Sequence, residues 1–192
     1  TTTQSDDSSS SDSAQLAAYK NGKKVLTIPE IAEQVGPSVV GVINKTTVQP
    51  QKYYDPFSGR YYYSSGDGST DGQTVEQGSG SGIIFQDDGY IVTNQHVIDG
   101  ASEISVILNT GDEFTAKLVG QDTKTDLAVL KIDPGSTKLT AATLGDSTTV
   151  QVGETAVAIG NPMGQEFSGS VTSGIISAVN RTMNIDNRTY NY

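Results

Sequence analysis

With 192 residues, the chain is long enough to bury a core as one large domain or two small ones. Its net charge of −10 argues against nucleic acid, because phosphate binding wants clustered Lys and Arg. The twelve basic residues are scattered, with Lys23-Lys24 the only adjacent pair. Zero cysteines exclude disulfides and thiolate metal sites, and a single histidine would leave a zinc ion dependent on carboxylates, so no metal and no cofactor is expected.

The first stretch, TTTQSDDSSSSDS, has no apolar residue before Ala14 and cannot repay its ordering entropy. Residues 1–26 therefore read as a disordered Ser/Asp-rich linker. No apolar run reaches the length of about 18 residues needed to span a bilayer, and no secretory signal is visible. Any membrane attachment would run through an N-terminal anchor outside these residues.

TIPEIAEQVGPSVV (27–40) predicts a short helix giving way to a strand. Thr27 and Glu30 have capping-box spacing, Ile31 and Val35 share a face, and Gly36-Pro37 stops the helix. SVVGVINKTTV (38–48) then has the β-branched bias of a strand. Residues 49–77 break the pattern, being rich in Gly, Ser, Asp and Tyr, and read as a long mobile loop. Five of the nine tyrosines fall here (Tyr53, Tyr54, Tyr61, Tyr62, Tyr63), which fits either a contact surface or a solvated loop.

From Gly80 onward, short strands alternate with turn signals: SGIIF, QDDG, YIVTN, EISVILN, TGD, EFTAKLVGQ, DLAVLKI, ETAVAIG and SGSVTSGIISAV. That spacing, with only one good helix, predicts an all-β antiparallel barrel or sandwich. In EFTAKL the alternation of Phe114, Ala116 and Leu118 predicts a half-buried strand.

The lone histidine, His96, follows YIVTN at a strand-end corner. A single histidine in that position is ordinarily structural or exposed. Thirty residues on, Asp126 opens the apolar strand LAVLKI, where Asp is ordinarily a turn residue or cap. A carboxylate and an imidazole at neighbouring strand ends offer a second reading. Such a pair fixes the ring tautomer and stabilises the imidazolium formed when the ring takes a proton, as a general base requires.

GSGSGIIFQDDGYIVTNQHVIDGASEISVILNTGDEFTAKLVGQDTKTDLAVLKI resembles the first barrel of an HtrA (DegP/DegS-like) protease of the trypsin-like class. LGDSTTVQVGETAVAIGNPMGQEFSGSVTSGIISAVNR resembles the start of that family's second barrel, and the likeness covers about residues 28–192 in order. It implies a trypsin-like double β-barrel: a first barrel over 27–140, with 49–77 its long loop, and the start of a second over 141–192. It implies His96 as catalytic base and Asp126 as its orienter, in a serine endopeptidase of protein quality control acting on unfolded or misfolded polypeptides. It further implies a homotrimer and an extracytoplasmic, membrane-tethered setting, with the usual PDZ domain absent from these residues.

One departure from the pattern is large. The nucleophile of the family sits in Gly-Asn-Ser-Gly-Gly, which these 192 residues do not contain. GSGSG (78–82) has Gly80, not Ser, at its centre and so is no nucleophile elbow. Ser168 and Ser173 precede glycines outside the required motif, and the resemblance places both in or beside the strand SGSVTSGIISAV, so these two read as structural. The Gly-Asn-Pro-Met-Gly run at 160–164 reads as a turn and is given no chemistry. The chain alone is thus expected to be inactive as a fragment lacking its nucleophile. The alternative is a non-catalytic β-barrel binding module, either a pseudoprotease or an extracellular adhesion domain built on the tyrosine-rich loop.

Overall fold

The computed structural model describes residues 19–20, 23–48, 52–63, 73–161, 169–185 and 188–191. The sequence readings for residues 1–18, for 49–51 and 64–72 of the long loop, and for Pro162–Ser168 lie outside the described residues.

Two short strands, β1 (Tyr19–Lys20) and β2 (Lys23–Lys24), pair ahead of the helix α1 (Ile28–Val35). The capping box forms as the spacing predicts: Thr27 N–H donates to Glu30 Oε2 at 2.8 Å, and Glu30 N–H reaches back to Thr27 Oγ1 at 3.4 Å. Gly36–Ser38 makes one 3₁₀ turn and delivers the chain into β3 (Val39–Val48).

Six strands close a barrel: β3, β6 (Gln73–Gln86), β7 (Tyr90–Asn94), β8 (Glu103–Ile107), β9 (Glu113–Asp122) and β10 (Leu127–Lys131). Every pairing is antiparallel and the strand order is β10-β7-β6-β3-β8-β9, with β9 and β10 sealing the ring. Alternation supplies the interior: Val40 and Val42 on β3, Ile91 on β7, Val106 on β8 and Leu130 on β10 are completely buried. Gly89, at φ 105°, makes the tight turn between β6 and β7; its carbonyl accepts from Ile132 N–H at 3.0 Å.

The fold differs from the sequence reading in three places. Residues 52–63 of the long loop form a hairpin, β4 (Lys52–Asp55) and β5 (Arg60–Tyr63), and β6 already begins at Gln73. The turn is built locally: Asp55 Oδ1 accepts from Phe57 N–H at 2.9 Å, Asp55 O from Gly59 N–H at 2.9 Å, and Gly59 takes φ 65°. Second, His96 sits in a one-turn helix, α2 (Gln95–Ile98), not at a bare strand end. Third, Leu118 is 45 % exposed although it keeps the phase of buried Ala116 and pairs with buried Leu130; the β9–β10 register shift follows directly after it, with Val119 the extra residue.

Beyond the barrel, β11 (Thr155–Gly160) pairs with β12 (Ser170–Ile175), and β13 (Thr182–Ile185) with β14 (Arg188–Asn191). The end of β11 is moored to the barrel through buried Asn161, whose N–H donates to Ser81 Oγ at 2.7 Å. Its side chain lies so close over Gly41 that a Cβ there would stand 2.6 Å from Asn161 Nδ2.

Candidate active site

Both candidate residues sit at one rim of the barrel because β7 and β10 pair antiparallel, with Asn94 opposite Leu127. The chain leaves β7 into α2, which carries His96, and enters β10 from the turn that ends at Asp126. That turn is dictated by its sequence: Asp122 Oδ1 accepts from Lys124 N–H at 3.0 Å and Asp122 Oδ2 from the Thr125 hydroxyl at 2.9 Å. Asp126 then adopts φ 55°, a left-handed conformation that Asp tolerates better than most residues.

The structure brings the two side chains together. His96 Nδ1 lies 2.7 Å from Asp126 Oδ2, within the hydrogen-bond range expected of an oriented pair. The other carboxylate oxygen, Oδ1, accepts from the His96 backbone N–H at 2.9 Å. The carbonyl of Asp126 accepts from Gln95 N–H at 3.1 Å and from Asn94 Nδ2 at 3.1 Å. Asn94 Nδ2 also approaches Oδ2 at 3.2 Å. One residue therefore holds the start of α2 and the imidazole it presents.

The electrostatics follow from those contacts. Burial pushes the Asp126 carboxyl upward, but the His96 backbone N–H, the His96 ring and the Asn94 amide outweigh it and hold the group below the usual carboxylate range. With the carboxylate ionised, Nδ1 carries the proton it donates, and the Nε2 lone pair is left to accept another. The His96 side chain is 71 % exposed against 30 % for Asp126, so the ring reaches outward from a carboxylate seated beneath it.

Asn94 and Gln95 were not foreseen as site residues; the signal was the polar pair they form where the strand-like run stops. The glycines of GSGSG have a spatial role. A Cβ on Gly80 would lie 2.6 Å from a Val97 methyl, and one on Gly82 would lie 2.9 Å from both Ile91 and Val42. Ser173 lies in β12, paired with Val157. Among the described residues no three His, Cys, Asp or Glu side chains converge as a metal-ligand set.

A closed antiparallel barrel with a His–Asp pair at its rim defines the class, a trypsin-like peptidase barrel. The family described as trypsin-like peptidase domain matches residues 80–192. A Bacillus subtilis (strain 168) protein named Serine protease Do-like HtrA is 45 % identical over 162 residues, which is 82 % of this chain and 33 % of its own length. A Halomonas elongata protein named Probable periplasmic serine endoprotease DegP-like is 41 % identical over 177 residues, 84 % of this chain and 36 % of its own. Among solved structures, an HtrA-type protease AlgW with decapeptide aligns at TM-score 0.64 and 34 % identity, covering 86 % of this chain and 49 % of that one. The serine endoprotease from Yersinia pestis aligns at TM-score 0.60 and 34 % identity, covering 81 % and 46 %. The chain belongs to the HtrA-type trypsin-like serine proteases. It spans about a third of the length of the curated relatives it matches.

Proposed function

We propose that these residues supply the general base and its orienter to a serine endopeptidase of protein quality control, with His96 the base and Asp126 the orienter. The supporting observation is the double engagement of one carboxylate: Oδ2 on the ring at 2.7 Å and Oδ1 on the same residue's N–H at 2.9 Å. Together these fix ring and backbone, and leave Nε2 to take the proton of an attacking serine hydroxyl. The imidazolium so formed is stabilised by Asp126 and returns the proton to the leaving amine.

The nucleophile in this reading belongs to a Gly-Asn-Ser-Gly-Gly segment that the 192 residues do not contain. Residues 27–140 act as the first barrel and 141–192 as the start of the second. The 192-residue chain alone is then inert as a peptidase, since loss of the nucleophile costs on the order of 10⁶ in turnover in subtilisin. Its substrates are unfolded or misfolded polypeptides, its assembly a homotrimer and its setting extracytoplasmic, the last supported by relatives named as periplasmic. Membrane tethering through an N-terminal anchor belongs to the same reading.

The test is labelling by a fluorophosphonate probe and turnover of unfolded casein. It compares the 192-residue chain with the chain extended by the downstream residues of its gene. The extended protein should label and cleave, and His96→Ala should abolish both. Labelling of the 192-residue chain itself, lost on His96→Ala, would place the nucleophile within these residues. An extended protein that neither labels nor cleaves would favour the binding-module reading.

A further inference from the structure

We infer that Asn44 is a positioning residue for His96, bracing the C-terminal end of α2 from inside the barrel; this rests on the reading of His96 as the base.

Asn44 breaks the apolar pattern of its strand face. Strand β3 sends Val40, Val42 and Asn44 to one face, and the two valines are completely buried in the core. Asn44 is also buried, at 4 % exposure, where a third aliphatic side chain would continue the pattern. Its Oδ1 is buried without a hydrogen-bond partner, a desolvation penalty that an apolar residue would avoid. The fold alone gives no reason to keep it.

The amide nitrogen supplies one. Asn44 Nδ2 donates to Asp99 O at 2.8 Å and to Val97 O at 3.2 Å. These carbonyls belong to the end of α2 and the residue beyond it. A single helical turn cannot hold itself, because nucleation fixes many dihedrals for few bonds, and its terminal carbonyls have no partners within the helix. At the other end, Asp126 takes the Gln95 and His96 N–H groups. The turn bearing His96 is therefore tied at its start by Asp126 and at its end by Asn44, with the Gln95 side chain closing on Asp99 Oδ1 at 3.0 Å.

The strand geometry adapts to this contact. Opposite Asn44 the β3–β6 register shifts, from Asn44↔Gly78 to Lys45↔Glu76, leaving Gln77 as an extra residue. Two residues from the shift, Gly80 removes the Cβ that would collide with Val97. Both features let α2 settle against β3 and β6 at the depth where Asn44 reaches its carbonyls. Loss of the Asn44 donor should free the end of α2 and let the ring drift from Asp126 while the barrel persists.

Because His96 is the only histidine, its ring can be observed alone by proton and nitrogen NMR of the 192-residue chain. The parent should show a downfield Nδ1–H resonance that Asp126→Asn abolishes; its persistence in Asp126→Asn would overturn the pair and the bracing with it. Asn44→Val should keep the barrel amide pattern, broaden or lose the ring resonance, and speed exchange of the Gln95 and His96 N–H groups. The speeding should be roughly five- to a hundredfold, as expected for two lost hydrogen bonds. Ile132→Val, a core change just past β10 where Ile132 N–H meets Gly89 O at the far end of the barrel, should leave the ring resonance and these two amides unmoved. An Asn44→Val spectrum with parental ring signal and exchange, or an equal loss in Ile132→Val, would overturn the bracing and leave the pair intact. If Asn44→Val does not fold, Asn44→Thr carries the same measurements. Collapse of the barrel in both would make Asn44 a folding residue and overturn the inference.

Discussion

Gly80→Ala should destabilise the protein, although Gly to Ala in a strand ordinarily helps. A Cβ at position 80 would lie 2.6 and 2.9 Å from the two methyls of Val97 and 3.4 Å from its Cβ. Carbon pairs settle at about 3.5–4.0 Å, so both methyls are overlapped by well over half an ångström. Val97 has little freedom to retreat: its χ1 is stiff, and α2 is tied at Asp126 and Asn44. Overpacking of this kind costs about 1–3 kcal/mol, against a gain of about 0.4–1 kcal/mol from a less flexible unfolded chain. The net loss, centred at about 1 kcal/mol and at most about 2.6 kcal/mol, corresponds to a fall in Tm of up to roughly 10 °C for a domain of this size. Gly120→Ala is the matched control, because nothing lies within 4 Å of a Cβ there and its φ is not left-handed. It should gain the entropic term alone. Urea and thermal melts of the two variants decide the matter. A Gly80→Ala protein as stable as Gly120→Ala would refute the claim that the glycine exists to admit Val97.

Leu130→Ala, at a completely buried barrel position, should cost about 2–5 kcal/mol in urea unfolding, whereas Leu118→Ala, nearly half exposed beside the bulge, should change stability by about 0.5 kcal/mol or less. Because the Asp126 pKa is depressed below its ordinary 3.8, its stabilisation is complete above that value and is lost as pH falls through the lower folded value. The urea midpoint of the parent should therefore fall more steeply below pH 4 than that of Asp126→Asn, and parallel acid profiles would contradict the assignment. Thr27→Ala removes one half of the capping box and should cost about 1 kcal/mol by thermal melting. Glu113→Gln breaks the 2.7 Å contact with Lys45 at the barrel surface and should cost at most about 1 kcal/mol, an effect that shrinks in 1 M salt.

The barrel was legible because its signals are local and repeated. YIVTN became β7 residue for residue, and QDDG and TGD fell in the turns beside it and between β8 and β9. The β4–β5 hairpin escaped notice because its composition is that of a loop, and its order comes from one Asp-based turn and from cross-strand aromatic contact. Tyr54 and Tyr61 pack there with ring centroids 5.0 Å apart and planes tilted by 51°. Helix α2 escaped for another reason: four residues cannot display a 3.6-residue period. Leu118 shows that alternation names a face and not a depth: it stays in phase with Ala116 and pairs with buried Leu130, yet is 45 % exposed.

The site divides along the same line. His96 stood out by being alone, but the strand-end positions left its pairing with Asp126 as one of two readings, and the family resemblance favoured it, since thirty residues and an intervening hairpin separate them. Physical reading supplied the parts around the pair. Asp before an apolar strand is a sound turn signal, and Asp126 is a turn residue, with φ 55° and its carbonyl taking two donors. The bland and the catalytic readings of that residue are therefore compatible. The turn conformation aims the carboxylate at α2, where one oxygen holds the backbone and the other the ring. Asn44 was illegible for the opposite reason. Within VVGVINKTTV a polar residue looks like an ordinary interruption of a strand, and only the closed barrel shows that it points inward. There its amide meets the two carbonyls that α2 cannot satisfy for itself. What sequence periodicity treats as noise at position 44 is, in three dimensions, the far end of the same support that begins at Asp126.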